Sequence, residues 1–289
     1  EFIVNMIRCE NLLWDQTFPI LRLTGDGTIT FLHGQTSADI VGAKRSALIH
    51  SCWLNTLGGV RAFLEIRLTD NAAEIIVLGG DISELMRSLE KAIFPMDKVR
   101  LQLSGKIRRV QNLSSNQLDR FNNIAWLLPG EPLPKDWDGF QIPTTNQFER
   151  WRMQHSLLTG PEELNGKNNP FELGFGDMVS LNKGCYLGQE IIAKLMKAGK
   201  VRQQIRFIES ECDLFPGQNL LKGVPDLGEK KIVGKIISFI NDKENQINFG
   251  LAMVKNSACL EQELLLEDDL NKSVFIKAPL GFVGFPDGR

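Results

Sequence analysis

The stretch Asn182-Lys183-Gly184-Cys185-Tyr186-Leu187-Gly188-Gln189-Glu190-Ile191-Ile192-Ala193-Lys194 sets a lysine, a cysteine and a tyrosine between two glycines, then opens into an apolar-periodic run. Tyr186 is the only tyrosine of the chain. Cys185 stands two residues after Lys183 and just ahead of an expected helix N-terminus. A nearby cation and the positive end of a helix dipole both favour thiolate over thiol. Cys185 and Lys183 are therefore candidate catalytic residues, Lys183 holding the thiolate or an anion. A lone cysteine also reads as a small buried hydrophobe, and a lone lysine as a solvated side chain. Gly184 and Gly188 permit positive φ and close approach of backbone to a ligand. Tyr186 can stack on a planar ligand or simply pack. Gln189 and Glu190 fall in the first helical turn, where an acid also suits the dipole.

Outward from this stretch the pattern is mixed. Before it, PILRLTG (Pro19 to Gly25) reads as a strand. Asp26 reads as an N-cap for a helix through TITFLHGQTSADI. SALIHSCWLN and GVRAFLEIRL read as strands joined at Leu57-Gly58-Gly59, and EIIVLGG as another. ISELMRSLEKAIF places Ile82, Leu85, Leu89 and Ile93 on one helical stripe. VRLQLSG is a further strand, residues 108–139 are short strands and turns, and a helix is expected over roughly Asn146 to Leu158. After Val201 five or six short strands fit a small closed barrel. The fold class is thus α+β: two α+β modules and a small C-terminal β-barrel. The expected division is residues 1–25 with 104–200, residues 26–103, and residues 201–289.

Composition excludes several classes. At 289 residues with 43% hydrophobic and 24% charged residues, the chain is an ordinary globular one. A net charge of −2 gives no global basic field for nucleic acid. There is no apolar window long enough for a membrane helix, and the N-terminal EFIVNMIRCENLLW does not read as a signal peptide. Five scattered cysteines (Cys9, Cys52, Cys185, Cys212, Cys259) are no disulfide framework, which points to a reducing, cytoplasmic setting. No C-x-x-C pair and three dispersed histidines argue against a zinc site and a permanently held iron–sulfur cluster. One charge feature stands out. Lys183, Lys194, Lys197, Lys200, Arg202 and Arg206 accompany one acid, Glu190. This is either a solvated helix face or an anion dock, and no RNA-binding signature accompanies it.

K-G-C-Y-x-G-Q-E, complete from Lys183 to Glu190, resembles the signature of the YgfZ family. FLHGQTSADI (Phe31 to Ile40), CWLNTLGGVRAFLEIRL (Cys52 to Leu68), NPFELGF (Asn169 to Phe175) and GKIISF (Gly234 to Phe239) extend the resemblance over nearly the whole chain. It implies a fold similar to the T protein (aminomethyltransferase) of the glycine cleavage system. It also implies tetrahydrofolate or a derivative as cofactor, and a role supporting iron–sulfur cluster assembly or repair, including for tRNA-thiolating enzymes. Partners would be folate and iron–sulfur enzymes or assembly proteins; no membrane and no direct tRNA contact are expected. Folate contacts would come from Tyr186, Gly184, Gly188, Gln189, Glu190, Arg152, Gln154, Trp53 and Asn55, with Trp151 as a further wall. A glutamate tail on folate would suit the basic run.

Two departures from the T protein matter. Its carboxylate after the glycine turn is matched by Ala62 and Phe63, which cannot transfer a proton. Glu65 could take the role only if the register slipped. Its pterin-reading glutamate is matched by Gln154, which offers one acceptor rather than two. An accessory factor is therefore expected over an aminomethyltransferase, with one-carbon transfer and a chemistry-free folate- or RNA-binding module as rivals.

Overall fold

The computed structural model describes residues 11–70, 72–113, 120–223, 230–243 and 246–285. Cys9 and the N-terminal EFIVNMIRCE lie outside them.

The first half forms one antiparallel sheet around a long central strand. In chain order it runs β1 (Leu13–Thr24), α1 (Thr28–Gln35), β2 (Leu48–Leu54), β3 (Val60–Leu68), β4 (Ala72–Gly80), α2 (Ile82–Ala92), β5 (Arg100–Asn112) and β6 (Ile124–Leu127). The strand order is β2-β3-β4-β1-β5-β6. The hairpin turn between β2 and β3 is built by Asn55. Its Oδ1 accepts from the Leu57 and Gly59 amides at 3.0 and 2.9 Å, and Gly58 takes φ +76°, which a side chain would resist. Asp81 caps α2 by accepting from the Ser83 and Glu84 amides.

Successive strand residues point to opposite faces, so this sheet has two cores. Leu64 and Ile75 face the core closed by α1 and α2, with Leu32, Leu85 and Leu89. Their neighbours Phe63 and Ile76 face a second core with Trp151, Leu157, Phe171 and Phe175. That is why β3 and β4 read as nearly continuous apolar runs. Each such fully buried Leu, Ile or Phe contributes about 1.5–3 kcal/mol.

Next come α3 (Thr145–Gln154), α4 (Pro170–Leu173) and α5 (Gln189–Ala198). Thr144 with Gln147, and Asn169 with Glu172, form reciprocal capping boxes at α3 and α4. The remaining strands are β7 (Gln203–Ser210), β8 (Asn219–Gly223), β9 (Lys230–Asp242), β10 (Ile247–Lys255), β11 (Glu263–Leu266) and β12 (Ser273–Lys277). They close a barrel in the order β10-β7-β12-β11-β8-β9. Ile208, Val254 and Val274 fill it, while Ile205, Phe207 and Phe249 face out into the second core and join the barrel to α3 and α4.

Two helix assignments need correction. The helix after β1 stops at Gln35 instead of running to Ile40. Its N-cap is Gly27, without a side-chain bond, not Asp26. Thr36 turns extended (φ −127°, ψ 163°), and the reason is tertiary, given below. The helix expected to Leu158 ends at Gln154, and Ser156 sits at φ 57°. The expected boundary between residues 103 and 104 falls inside β5, which pairs with β1 along most of its length. The barrel begins just after the expected boundary at residue 200.

Glu65 lies at zero exposure in the register opposite His50. Its carboxylate takes hydrogen bonds from Arg109 Nε and Nη2 at 3.0–3.1 Å, from His50 Nε2 at 2.8 Å and from Trp126 Nε1. The Trp14 ring covers the Arg109 guanidinium at 4.4 Å. Burial alone would raise the Glu65 carboxyl, but Arg109 and His50 outweigh it and hold it at about 2. A depressed carboxyl stabilises the fold fully above the ordinary carboxyl value and loses that contribution as pH falls toward 2. Glu65→Gln is expected to cost about 3–5 kcal/mol by stranding Arg109. It should also flatten the pH dependence of stability below about pH 5. Urea unfolding of both proteins from pH 7 to pH 3 checks this; parallel curves would refute the assignment.

Candidate functional site

The Lys183 ammonium is the hinge of the signature. It is buried and donates to three backbone carbonyls, those of His33, Thr36 and Ala38, at 2.5–2.8 Å. All three of its protons are thereby used. Burial pulls it down to about 8, with Asp39 opposing, and its Nζ lies 4.6 Å from the centre of the Tyr186 ring. These carbonyls explain why α1 ends where it does: the chain leaves the helix to aim them at Lys183. The adjoining Ser37 Oγ donates to the Met178 carbonyl at 2.8 Å and accepts from the Cys52 amide. The Ser180 amide bonds the Ser37 carbonyl, and the Leu187 amide that of Gly34. The HGQTSA segment and the signature, some 150 residues apart in the chain, therefore form one unit. Lys183 is not a free partner for Cys185 or for an external anion, which corrects its expected role.

The rest of the signature divides into scaffold and surface. Tyr186 is buried in the second core, its hydroxyl lacks a partner among the described residues, and burial pushes it up to about 12. Gly188 caps α5 at φ +81°, and a Cβ there would lie 2.7 Å from the Asn55 carbonyl and 3.1 Å from Gly58 Cα. The signature turn thus rests on the hairpin turn, and only glycine fits. Gly184 has no such need: a Cβ would meet nothing within 4 Å. The Gln189 side chain accepts from the Tyr186 amide at 3.3 Å, and Glu190 is exposed in the first turn of α5. Cys185 is an exposed free thiol, whereas Cys52 is fully buried and pushed up to about 12 by that burial.

A cleft of about 670 Å³ opens beside this loop, lined by Gln35, Thr56, Cys185, Gln189 and Glu190 among others. Lys183 and Gly184 do not line it, and neither do Arg152, Gln154, Trp53, Asn55 and Trp151. Arg152 is buried between Glu149 (2.6 and 2.8 Å) and Glu163 (3.0 Å). Burial acts against the Arg152 charge, but the two carboxylates outweigh it and raise its pKa. Glu163 also accepts from Ser238 Oγ at 3.1 Å, so this cluster ties α3 to the barrel. Gln154 ends α3 and its carbonyl accepts from Leu280. Trp53 is packed in the other core with α1 and α2. Asn55 is committed to the hairpin turn and to the Gly166 carbonyl at 2.9 Å. Trp151 is buried and stacked on His155. Ala62 and Phe63 are wholly buried, and Glu65 belongs to the Arg109 cluster.

Of the six cations in the basic run, Lys183 and Arg206 are buried. Arg206 bonds the Cys259 and Ile205 carbonyls and Gln204. Lys194, Lys197, Lys200 and Arg202 are exposed. Sequence reasoning missed Thr36 and Ser37, small polar residues whose only signal was their place inside a motif read as helix. Among the described residues no cluster of three or more His, Cys, Asp or Glu could hold a metal, and no helix is long and apolar enough to cross a membrane.

Lys183→Met keeps the apolar stem and strands three carbonyls, so it is expected to cost about 3 kcal/mol. Gly188→Ala should cost about 2 kcal/mol or more through its positive φ and the Asn55 clash. Denaturant titration checks both, with Gly184→Ala, expected within about 0.5 kcal/mol of the parent, as the contrast.

No protein-family model matches the chain. It is 23% identical over 284 aligned positions to a chloroplastic protein of Arabidopsis thaliana whose name assigns it provisionally to the transferases, covering 83% of this chain and 64% of that one. It is 31% identical over 117 positions to the mitochondrial iron–sulfur cluster assembly factor IBA57 homologue of Candida glabrata, covering 35% of this chain and 22% of that protein. The corresponding protein of Eremothecium gossypii is 31% identical over 87 positions, or 29% of this chain and 19% of that one. The chain spans less than two thirds of the length of each. In structure it matches the glycine cleavage system aminomethyltransferase T of Bartonella henselae at a TM-score of 0.73 and 13% identity, covering 97% of this chain and 89% of that one. The chain has the T-protein fold, and its homologues include the IBA57-type iron–sulfur cluster assembly factors.

Proposed function

We propose that this protein is a folate-binding accessory factor of iron–sulfur cluster assembly or repair, serving cluster enzymes that include tRNA-modifying ones. The carrying observation is the presentation of Cys185: an exposed thiol at the edge of a cleft of about 670 Å³, on a loop fixed by Lys183 and Gly188. Homologues named as iron–sulfur cluster assembly factors support the cluster role. The cleft falls in the size range of small-molecule sites. Its lining also supports the folate reading: the Glu190 carboxylate can accept two hydrogen bonds from an amidine edge such as the pterin's, and Gln35 and Gln189 add amides. When bound, tetrahydrofolate would supply one-carbon or redox chemistry. The chain's own contribution would be to hold it beside Cys185.

Aminomethyl transfer is the weaker reading. It needs a carboxylate at the reacting amine, whereas Ala62 and Phe63 are apolar and buried and Glu65 is locked to Arg109. A reducing compartment, cytoplasm or organelle, accords with the free thiols of Cys52, Cys185, Cys212 and Cys259.

Titration calorimetry with tetrahydrofolate and its 5-formyl form is expected to give micromolar binding, weakened about tenfold by Glu190→Gln and little changed by Cys185→Ala. Cys185→Ala should in turn lose support of a cluster enzyme's activity in cells lacking the protein. Absence of folate binding by the parent removes the cofactor from the proposal. Full cluster support by Cys185→Ala removes the thiol.

A further inference from the structure

The other flank of α5 carries a second cleft, also about 670 Å³. Its apolar part is Leu57 from the hairpin turn with Ile191 and Leu195 of α5; its cations are Lys167, Lys200 and Arg202. Ile191, Leu195 and Ala198 follow helical spacing and share one face, with Lys194 and Lys197 exposed on the same helix. Three cations thus line the cleft and two more are exposed on the same helix, in a chain of net charge −2. None of them makes an ion pair among the described residues, whereas Arg61, Arg67, Arg108 and Lys222 elsewhere on the surface do. Two acids are near. Glu190 lies at the far end of α5. Glu172 is buried in the cleft wall, where its carboxylate accepts from the Asn169 amide at 3.1 Å; burial raises its pKa, against Asn169 and Arg202. Leu57 is 75% exposed at the tip of the turn.

A solvated helix face explains the lysines but not an exposed leucine over an apolar floor between them. Exposed apolar surface rimmed by charge marks a protein-binding patch. An RNA strand would want aromatic side chains to stack its bases, and among the described residues no aromatic one lines this cleft. We propose that this cleft docks an acidic segment of a partner protein, one that sets large apolar side chains on Leu57, Ile191 and Leu195 and carboxylates against Lys167, Lys200 and Arg202. The segment would lie against the helix that follows Cys185, so docking would bring the partner to the thiol loop. The inference rests on the cleft's own shape and charge and does not depend on folate binding.

The test is a selection of random 16-residue peptides displayed on phage against the full chain, followed by anisotropy titration of the recovered peptides. Expected are peptides enriched in Asp and Glu around Leu, Ile or Phe. Their affinity should fall at least about tenfold with Lys167→Glu/Lys200→Glu, weaken with Leu57→Ser, and drop as salt rises. Lys44→Glu, a charge reversal away from the cleft, should leave affinity unchanged. All of these side chains are exposed, and thermal melts confirm that the variants fold; should the double variant melt early, Lys200→Glu alone replaces it. Recovered peptides without acidic enrichment, equal binding by the charge-reversed protein, or equal affinity for an oligoglutamate lacking apolar residues would each overturn the proposal. So would a single-stranded RNA that binds more tightly and is displaced by none of the peptides. The folate titration is read separately, so either result can fail alone.

Discussion

One buried ammonium organises the candidate site. Lys183 draws the carbonyls of His33, Thr36 and Ala38 onto a single point, which a helix continuing through Ile40 could not do. Among the described residues no carboxylate pairs with its charge, so the three carbonyl dipoles carry most of the task of replacing water. That makes the arrangement specific: three acceptors must be aimed together, and the chain on both sides must conform. The outcome is a rigid loop whose next residue but one, Cys185, faces solvent.

The same logic of buried polar ties recurs where the large bodies meet. Glu65 and Arg109 link β3 to β5 across the sheet, and Arg152, Glu163 and Ser238 link α3 to the barrel. Apolar packing supplies most of the free energy, but it is non-directional. Charged hydrogen bonds fix which of several close packings is adopted, because a misplaced buried carboxylate or guanidinium costs several kcal/mol. Sheet, helices and barrel are thereby set around the loop that carries the signature.

Within the signature, buried scaffold and exposed side chains separate. Lys183, Tyr186 and Gly188 are buried or in tight contact and hold the loop, while Cys185 and Glu190 remain on the surface. A helix flanked by two clefts follows directly, one beside the thiol and one rimmed by lysines. The proposed small-molecule site and the proposed partner dock lie on its two flanks.

Most strands, the β2–β3 hairpin, α2 and the barrel were legible in the sequence, because period-2 and helical apolar patterns, a glycine turn and a helical stripe are local signals; β8 (Asn219–Gly223) and the start of β1 at Leu13 were not. The motif around Cys185 was legible as a unit of special backbone, and the T-protein-like fold followed from its resemblance. The roles inside it were not. Arg152 looked available for a ligand until two carboxylates, three residues before and eleven after it, closed around it. Gly184 and Gly188 looked equivalent until the hairpin turn came within contact of one alone. The end of α1 and the use of Lys183 depend on each other across 150 residues, and no local pattern encodes that. Sequence by itself determined most of the strands, the hairpin turn and α2, since propensity and periodicity act over a few residues. Only the tertiary structure decided which polar groups were left for function, since that depends on which distant partners had already claimed their hydrogen bonds.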